Sequence, residues 1–170
     1  TSSFNSMTDY IVGDERFTKI RSSKRFIINT WCKKEYGNLK IARAASVSVP
    51  KPYMSNGSIL AMEFIGDSNG KPAPMLKDAE IADPAGIFET ILEDIRKLYA
   101  SRLVHADLSE YNILINDGKP YLIDFGQAVT VRHPKALEFL DRDIANIAGY
   151  FRKRYGIETT FDEVKKKIIG

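Results

Sequence analysis

With 170 residues, the chain has room for one domain or for two small lobes around a cleft, and its 44% hydrophobic content, with nine Phe and eight Tyr, can fill a core. No apolar run reaches the roughly 18 residues of a membrane span, and no signal peptide is visible, so no membrane partner is expected. The single cysteine, Cys32, cannot form an internal disulfide; it fits a reducing, cytoplasmic compartment and reads as a packed helix residue. The net charge of +3 is unevenly spread: ten Lys/Arg against four Asp/Glu over residues 1–60, six against twelve over 61–130, and nine against six over 131–170. The densest stretch, Arg16 to Arg43, holds nine cations and one acid, Glu35, a cluster of the kind that contacts RNA phosphates.

In chain order, Thr1 to Ser23 is polar, Ser/Thr-rich and aperiodic, and reads as a flexible segment. It opens on Thr rather than Met, as a processed chain or a fragment would. Lys24 to Ala45 is helical in pattern, with Phe26, Ile27, Thr30, Trp31, Leu39 and Ala42 recurring near three and four. Val47 to Pro52 breaks that period, and Pro52 to Phe64 reads as two strands around Asn56-Gly57. Gly66 to Pro74 reads as a linker. Asp83-Pro84 supplies an N-cap and a first-turn proline for a helix through Ile87, Phe88, Ile91, Leu92, Ile95, Leu98 and Tyr99. Leu103-Val104 is a short apolar lead-in. Ile113-Leu114-Ile115 and Tyr121-Leu122-Ile123 are strand-type runs on either side of Asp117-Gly118, a strong hairpin signal. Pro134 is expected to open a helix to about Arg154 with Leu137, Leu140, Ile144, Ile147 and Phe151 inward, and Thr160 to Glu163 is a capping box for a last short helix.

The chemistry concentrates between these elements. Val104-His105-Ala106-Asp107-Leu108-Ser109-Glu110-Tyr111-Asn112, followed by Ile123-Asp124-Phe125-Gly126, has the form H-x-D-x-x-x-x-N … D-F-G. Phosphoryl transfer needs a carboxylate to orient the attacking hydroxyl and take its proton, and oxygen ligands to hold Mg²⁺ on the phosphates. Asp107 suits the first role; Asn112 and Asp124 suit the second, one amide and one carboxylate beside a cation that keeps several waters. An antiparallel ribbon would bring Asn112 and Asp124 side by side at its open end. His105 is expected to brace the backbone. Ala106 stands where many protein kinases carry the Arg that answers a phosphorylated loop, so switching of that kind is not expected.

The element order resembles a two-lobed protein kinase. That resemblance implies a cofactor-binding hinge at Met62-Glu63-Phe64-Ile65-Gly66, where the Glu63 carbonyl and the Ile65 N–H would meet adenine, and Leu114 and Ile123 would line its pocket. The wording Leu108-Ser109-Glu110-Tyr111, the run Asp124 to Pro134, Gly13 to Phe17 and Lys34 to Leu39 resemble the first subfamily of the RIO atypical serine/threonine kinases over nearly the whole chain. The resemblance implies an α+β, kinase-like fold with a small truncated N-lobe at residues 1–65 and a helical C-lobe at 66–170 lacking activation-loop and peptide-binding helices. It implies ATP with Mg²⁺ (or Mn²⁺), work on the small ribosomal subunit precursor, and Asp124 as a residue that can itself take a phosphoryl group in an ATPase cycle. Glu35 would pair with a phosphate-clamping lysine, and Asp143 would brace the catalytic loop, the alternative being an exposed helix charge.

The departures are specific. The chain contains no Gly-rich phosphate loop and no V-A-I-K-type strand before residue 24, and Ser109 replaces a Lys common in protein kinases. Nucleotide binding and transfer are therefore expected to be weaker than with an upstream loop and Lys. Only 46 residues follow Asp124, too few for a peptide platform, which favours an ATPase switch or a kinase that docks on a large partner. A small-molecule kinase of the aminoglycoside or choline type, and a kinase-shaped scaffold that binds RNA or protein without catalysis, are the alternatives.

Overall fold

The computed structural model describes Arg16 and residues 23–170; the segment expected to be flexible, with the Gly13 to Phe17 stretch apart from Arg16, lies outside the described residues. Helix α1 (Lys24–Ala44) starts where the Ser23 hydroxyl accepts the Phe26 N–H. Strands β1 (Pro52–Asn56) and β2 (Ile59–Met62) form a hairpin with Asn56 opposite Ile59, so Gly57-Ser58 makes the turn. Gly57 carries the positive φ of 58° that this tight connection needs. The expected linker is partly structured: Gly66 bridges Pro72, and the Asp67 carboxylate accepts the N–H of Asn69 and Lys71.

Helix α2 (Pro84–Ala100) begins at the Asp83 cap, its side chain accepting the Gly86 N–H at 2.9 Å. Strand β3 (Leu103–Val104) pairs with β6 (Val129–Thr130), and β4 (Ile113–Asn116) pairs with β5 (Lys119–Leu122) through a turn with positive φ at Asp117 and Gly118. Extended backbone widens the β4–β5 ribbon on both sides: Leu76 N–H reaches Ile113 O, Ile115 N–H reaches Pro74 O, and Leu122 N–H reaches Ser48 O. Helices α3 (Ala136–Tyr155) and α4 (Phe161–Ile169) close the chain, α4 behind the expected Thr160–Glu163 capping box. The architecture is α+β, with helices and two-stranded antiparallel ribbons around one core.

That core joins Leu39 and Ala42 of α1 to Ile91 and Leu98 of α2, Ile113, Ile115 and Leu122 of the β4–β5 ribbon and Phe151 of α3, all buried. Two expectations need correction. Helix α3 starts at Ala136 rather than Pro134, and Leu137 is 55% exposed rather than inward. The inward row runs Ala136, Phe139, Leu140, Asp143, Ile144, Ile147, Phe151, and Leu137 stands one step round the helix from Ala136. On α1, Phe26 and Trp31 are only half-buried, whereas Lys34 and Asn38 are buried outright.

Removing a buried side chain leaves a cavity that the surroundings only partly fill. Leu140→Ala is therefore expected to lower unfolding free energy by ~2–5 kcal/mol, and Leu137→Gln to stay within about 0.5 kcal/mol of the parent. Urea denaturation of the two variants checks the register.

Candidate active site

The site grows from the loop between β3 and β4. Ala106 has a φ of 66°, a left-handed conformation that turns the chain sharply after His105. One face of α3 holds that turn. The Asp143 carboxylate, 1% exposed, accepts the Ala106 N–H at 2.8 Å and the Leu108 N–H at 2.9 Å. The Arg142 guanidinium donates to Ala106 O, and Asn146 Nδ2 donates to Leu108 O at 3.0 Å. Asp143 thus braces the loop and is not an exposed helix charge. Burial pushes its carboxyl up to about 7, while the Leu108 and Ala106 N–H groups and Arg142 pull the other way.

His105 is buried beside the Phe125 ring, centroids 4.7 Å apart, and its Nε2–H donates to Ile123 O at 3.0 Å. Its Nδ1 is buried without a partner, so the ring sits neutral, as a brace between the two loops. Burial pushes its pKa down to about 4.

Ribbon geometry then brings the polar residues together. Ile123 N–H donates to Asn112 O at 3.0 Å, so Asn112 and Asp124 leave the open end of β4–β5 as near neighbours. Asn112 Nδ2 donates to Asp107 O at 2.8 Å and approaches Asp107 Oδ2 at 3.4 Å. Gln127 Nε2 donates to the same Oδ2 at 2.9 Å. Burial raises the Asp107 carboxyl, the Asp124 charge raises it further, and Arg142 and Asn112 oppose the rise. Glu35 of α1 is pushed up to about 7, first by burial and then by Asp124. Three carboxylates therefore share one electrostatic environment, which a cation would relieve.

Asn112 spends its Nδ2 on Asp107, which leaves its amide oxygen as the group available to a metal. Among the described residues nothing hydrogen-bonds the Asp124 carboxylate, which is exposed. The donor set fits a hard divalent cation that brings its own waters and further oxygen ligands. No cluster of three His, Cys, Asp or Glu suited to a metal occurs among the described residues.

The hinge residues lie at the end of β2. Met62 is half-buried, Ile65 is buried, and Ile65 O accepts the Ala73 N–H at 3.0 Å. The Glu63 N–H donates to Lys51 O and its carboxylate accepts the Lys51 N–H. Among the described residues no backbone group engages the Glu63 carbonyl or the Ile65 N–H. Leu114 and Ile123 are half-buried, and the Met75 backbone bridges that of Leu114, a pairing that the sequence pattern did not single out. A separate cavity of about 540 Å³, bordered by Glu80, Asp83, Thr90 and Gly118, touches none of these residues.

The His105 geometry predicts an acid sensitivity. Its folded pKa lies below the ordinary 6.5, so its contribution to stability is complete above pH 6.5 and is lost as pH falls toward 4. Between those limits the parent should lose about 3 kcal/mol relative to His105→Gln. Urea titrations of both proteins across that range give the difference, and parallel curves would contradict the buried neutral ring.

A family model described as RIO domain matches residues 1–164. The chain is 47% identical over 168 residues to the RIO-type serine/threonine-protein kinase Rio1 of Thermoplasma acidophilum, covering 99% of this chain and 88% of that protein. It is 41% identical to the protein of the same description in Haloferax volcanii, covering 99% of this chain but only 58% of that one. Among solved structures, the Rio2 kinase–ADP/Mg²⁺–phosphoaspartate complex from Chaetomium thermophilum aligns with a TM-score of 0.70 at 24% identity, over 89% of this chain and 49% of that one, which shows a shared protein-kinase-like fold. With the loop, the ribbon and the family model in agreement, the chain belongs to the RIO family of atypical serine/threonine-protein kinases.

Proposed function

We propose that this chain carries the catalytic machinery of a cytoplasmic RIO-type phosphotransferase that uses ATP with Mg²⁺, or Mn²⁺ in its place, in maturation of the small ribosomal subunit. The observation that carries the reading is the Asp107 carboxylate, held by Gln127 and Asn112 and set beside the Asn112–Asp124 pair. Asp107 would orient a serine or threonine hydroxyl and take its proton as the oxygen–phosphorus bond forms and the bond from the γ-phosphorus to the bridging oxygen breaks, releasing ADP. Bound between Asn112 and Asp124, Mg²⁺ would neutralise the phosphate charge. The Glu63 carbonyl and Ile65 N–H would meet adenine, with Met62, Leu114 and Ile123 around it. Glu35, close to Asp124, would pair with a phosphate-clamping lysine.

A related ATPase cycle uses the same residues. The Rio2 complex is described with ADP, Mg²⁺ and phosphoaspartate, and in this chain Asp124 is the corresponding candidate acceptor. Its oxygen would bond the γ-phosphorus while ADP leaves, and water would later release inorganic phosphate.

Asp107→Ala should reduce both autophosphorylation and phosphate release by ~10²–10⁴ while sparing nucleotide affinity. Turnover assays with calorimetry on the same variant check this. Near-normal turnover would remove Asp107 from the mechanism, and nucleotide binding without turnover in the parent would favour the scaffold reading.

RNA contact is proposed for the outer face of the basic stretch. Lys24 and Arg25 are exposed at the start of α1, Arg21 lies outside the described residues, and Lys34 is buried and cannot contribute. Replacing Lys24 and Arg25 by Glu should weaken binding to precursor rRNA and flatten its salt dependence. Filter-binding titrations at several salt concentrations measure both, and an unchanged affinity would make the stretch an ordinary solvated face.

A further inference from the structure

Helix α1 contacts the segment after Asp124 through one row of side chains. Lys34, 1% exposed, donates from Nζ to Gly126 O at 2.9 Å and to Ala128 O at 2.6 Å. Asn38, one turn further on and fully buried, donates from Nδ2 to Phe125 O at 2.9 Å and to Ala128 O at 3.1 Å. Trp31, one turn earlier, lies against Gly126 so closely that a Cβ at 126 would collide with the indole Nε1. Gly126 is thus required for close approach, whereas the positive φ falls at Asp124, at 62°.

A buried ammonium is an expensive way to fill space, because a Met of similar length would pack there without losing hydration. What the ammonium adds is two charge-assisted bonds to backbone that has no strand partner of its own. The two Nζ bonds go to the carbonyls of residues 126 and 128, so Lys34 holds the loop backbone directly. We infer that Trp31, Lys34 and Asn38 form a clamp on residues 125–128 that positions the Asp124 carboxylate, with Lys34 as its principal positioning residue. The inference rests on the reading of Asn112 and Asp124 as metal ligands and goes beyond it by naming what aims one of them. Displacement of α1 would then release the metal ligand and, through the Gln127 bond, loosen the hold on Asp107.

The test uses the full chain with Lys34→Met and two readouts. The first is amide hydrogen exchange without ligand, expected to accelerate over residues 125–128 while α2 and α3 keep parental protection. The second separates two affinities: adenosine without metal, expected to be unchanged, and the Mg²⁺-dependent gain in affinity for a non-hydrolysable ATP analogue, expected to fall roughly ten- to a hundredfold. A purely structural role would move both affinities together or neither, and either result would overturn the clamp. If Lys34→Met does not fold, Asn38→Ala, which removes two of the four bonds and leaves the charge in place, is read in the same way. Should the parent show no Mg²⁺-dependent nucleotide binding, the functional reading fails separately, and hydrogen exchange alone decides: unchanged exchange over 125–128 overturns the inference.

Discussion

The carboxylate of Asp143 carries the catalytic loop. A left-handed residue at Ala106 and a tight turn through Leu108 leave two N–H groups inside the protein with no strand to receive them. Buried donors without acceptors are strongly unfavourable, so the turn is stable only because α3 delivers one carboxylate to both. Asp107 lies between those two N–H groups, and its side chain is aimed by the backbone the carboxylate fixes. Arg142 and Asn146 hold Ala106 O and Leu108 O from the same helix face, so α3 reads four backbone groups in a three-residue stretch.

The rest of the site is held by the same kind of bond, from side chain to distant backbone. His105 links its loop to Ile123, α1 reaches residues 125–128, and Gln127 returns from that segment to Asp107. The acidic residues are thereby kept close despite their mutual repulsion: burial raises the Glu35 and Asp107 carboxyls most, and the Asp124 charge raises both further. Such an arrangement is a preorganised receptor for positive charge: the repulsion is already present in the folded chain and is relieved when a cation arrives.

Much of this was legible in the sequence because it is local. Asp117-Gly118 sets a hairpin by its own φ preferences, Asp83 and Thr160 cap helices within one turn, and the spacing of Asp107, Asn112 and Asp124 encodes the ribbon that unites them. The rest depends on partners far along the chain. Lys34 and Asn38 look like outward helix residues until carbonyls some ninety positions away face them. Gln127, Arg142 and Asn146 carry no pattern of their own, and their roles follow only from which backbone atoms the tertiary fold presents. Leu137 shows the converse, since an apolar residue near a helix start invites an inward assignment, and only the true first turn shows that Phe139 and Leu140 occupy that face.

The left-handed conformations at Ala106 and Asp124 have a consequence for how this protein trades robustness against use. A residue with a Cβ gives up about 1–2 kcal/mol in that region, aspartate less than most, where glycine gives up almost nothing. At Ala106 the methyl group is buried, and packing returns part of the difference. At Asp124 the side chain is exposed and nothing among the described residues bonds to it, so no comparable compensation exists. A polypeptide optimised only to stay folded would carry glycine at 124. The aspartate there marks a position where thermodynamic robustness gives way to an exposed carboxylate, the group proposed above as a metal ligand, and on that proposal a substitution that makes the chain hardier at 124 also leaves it chemically idle.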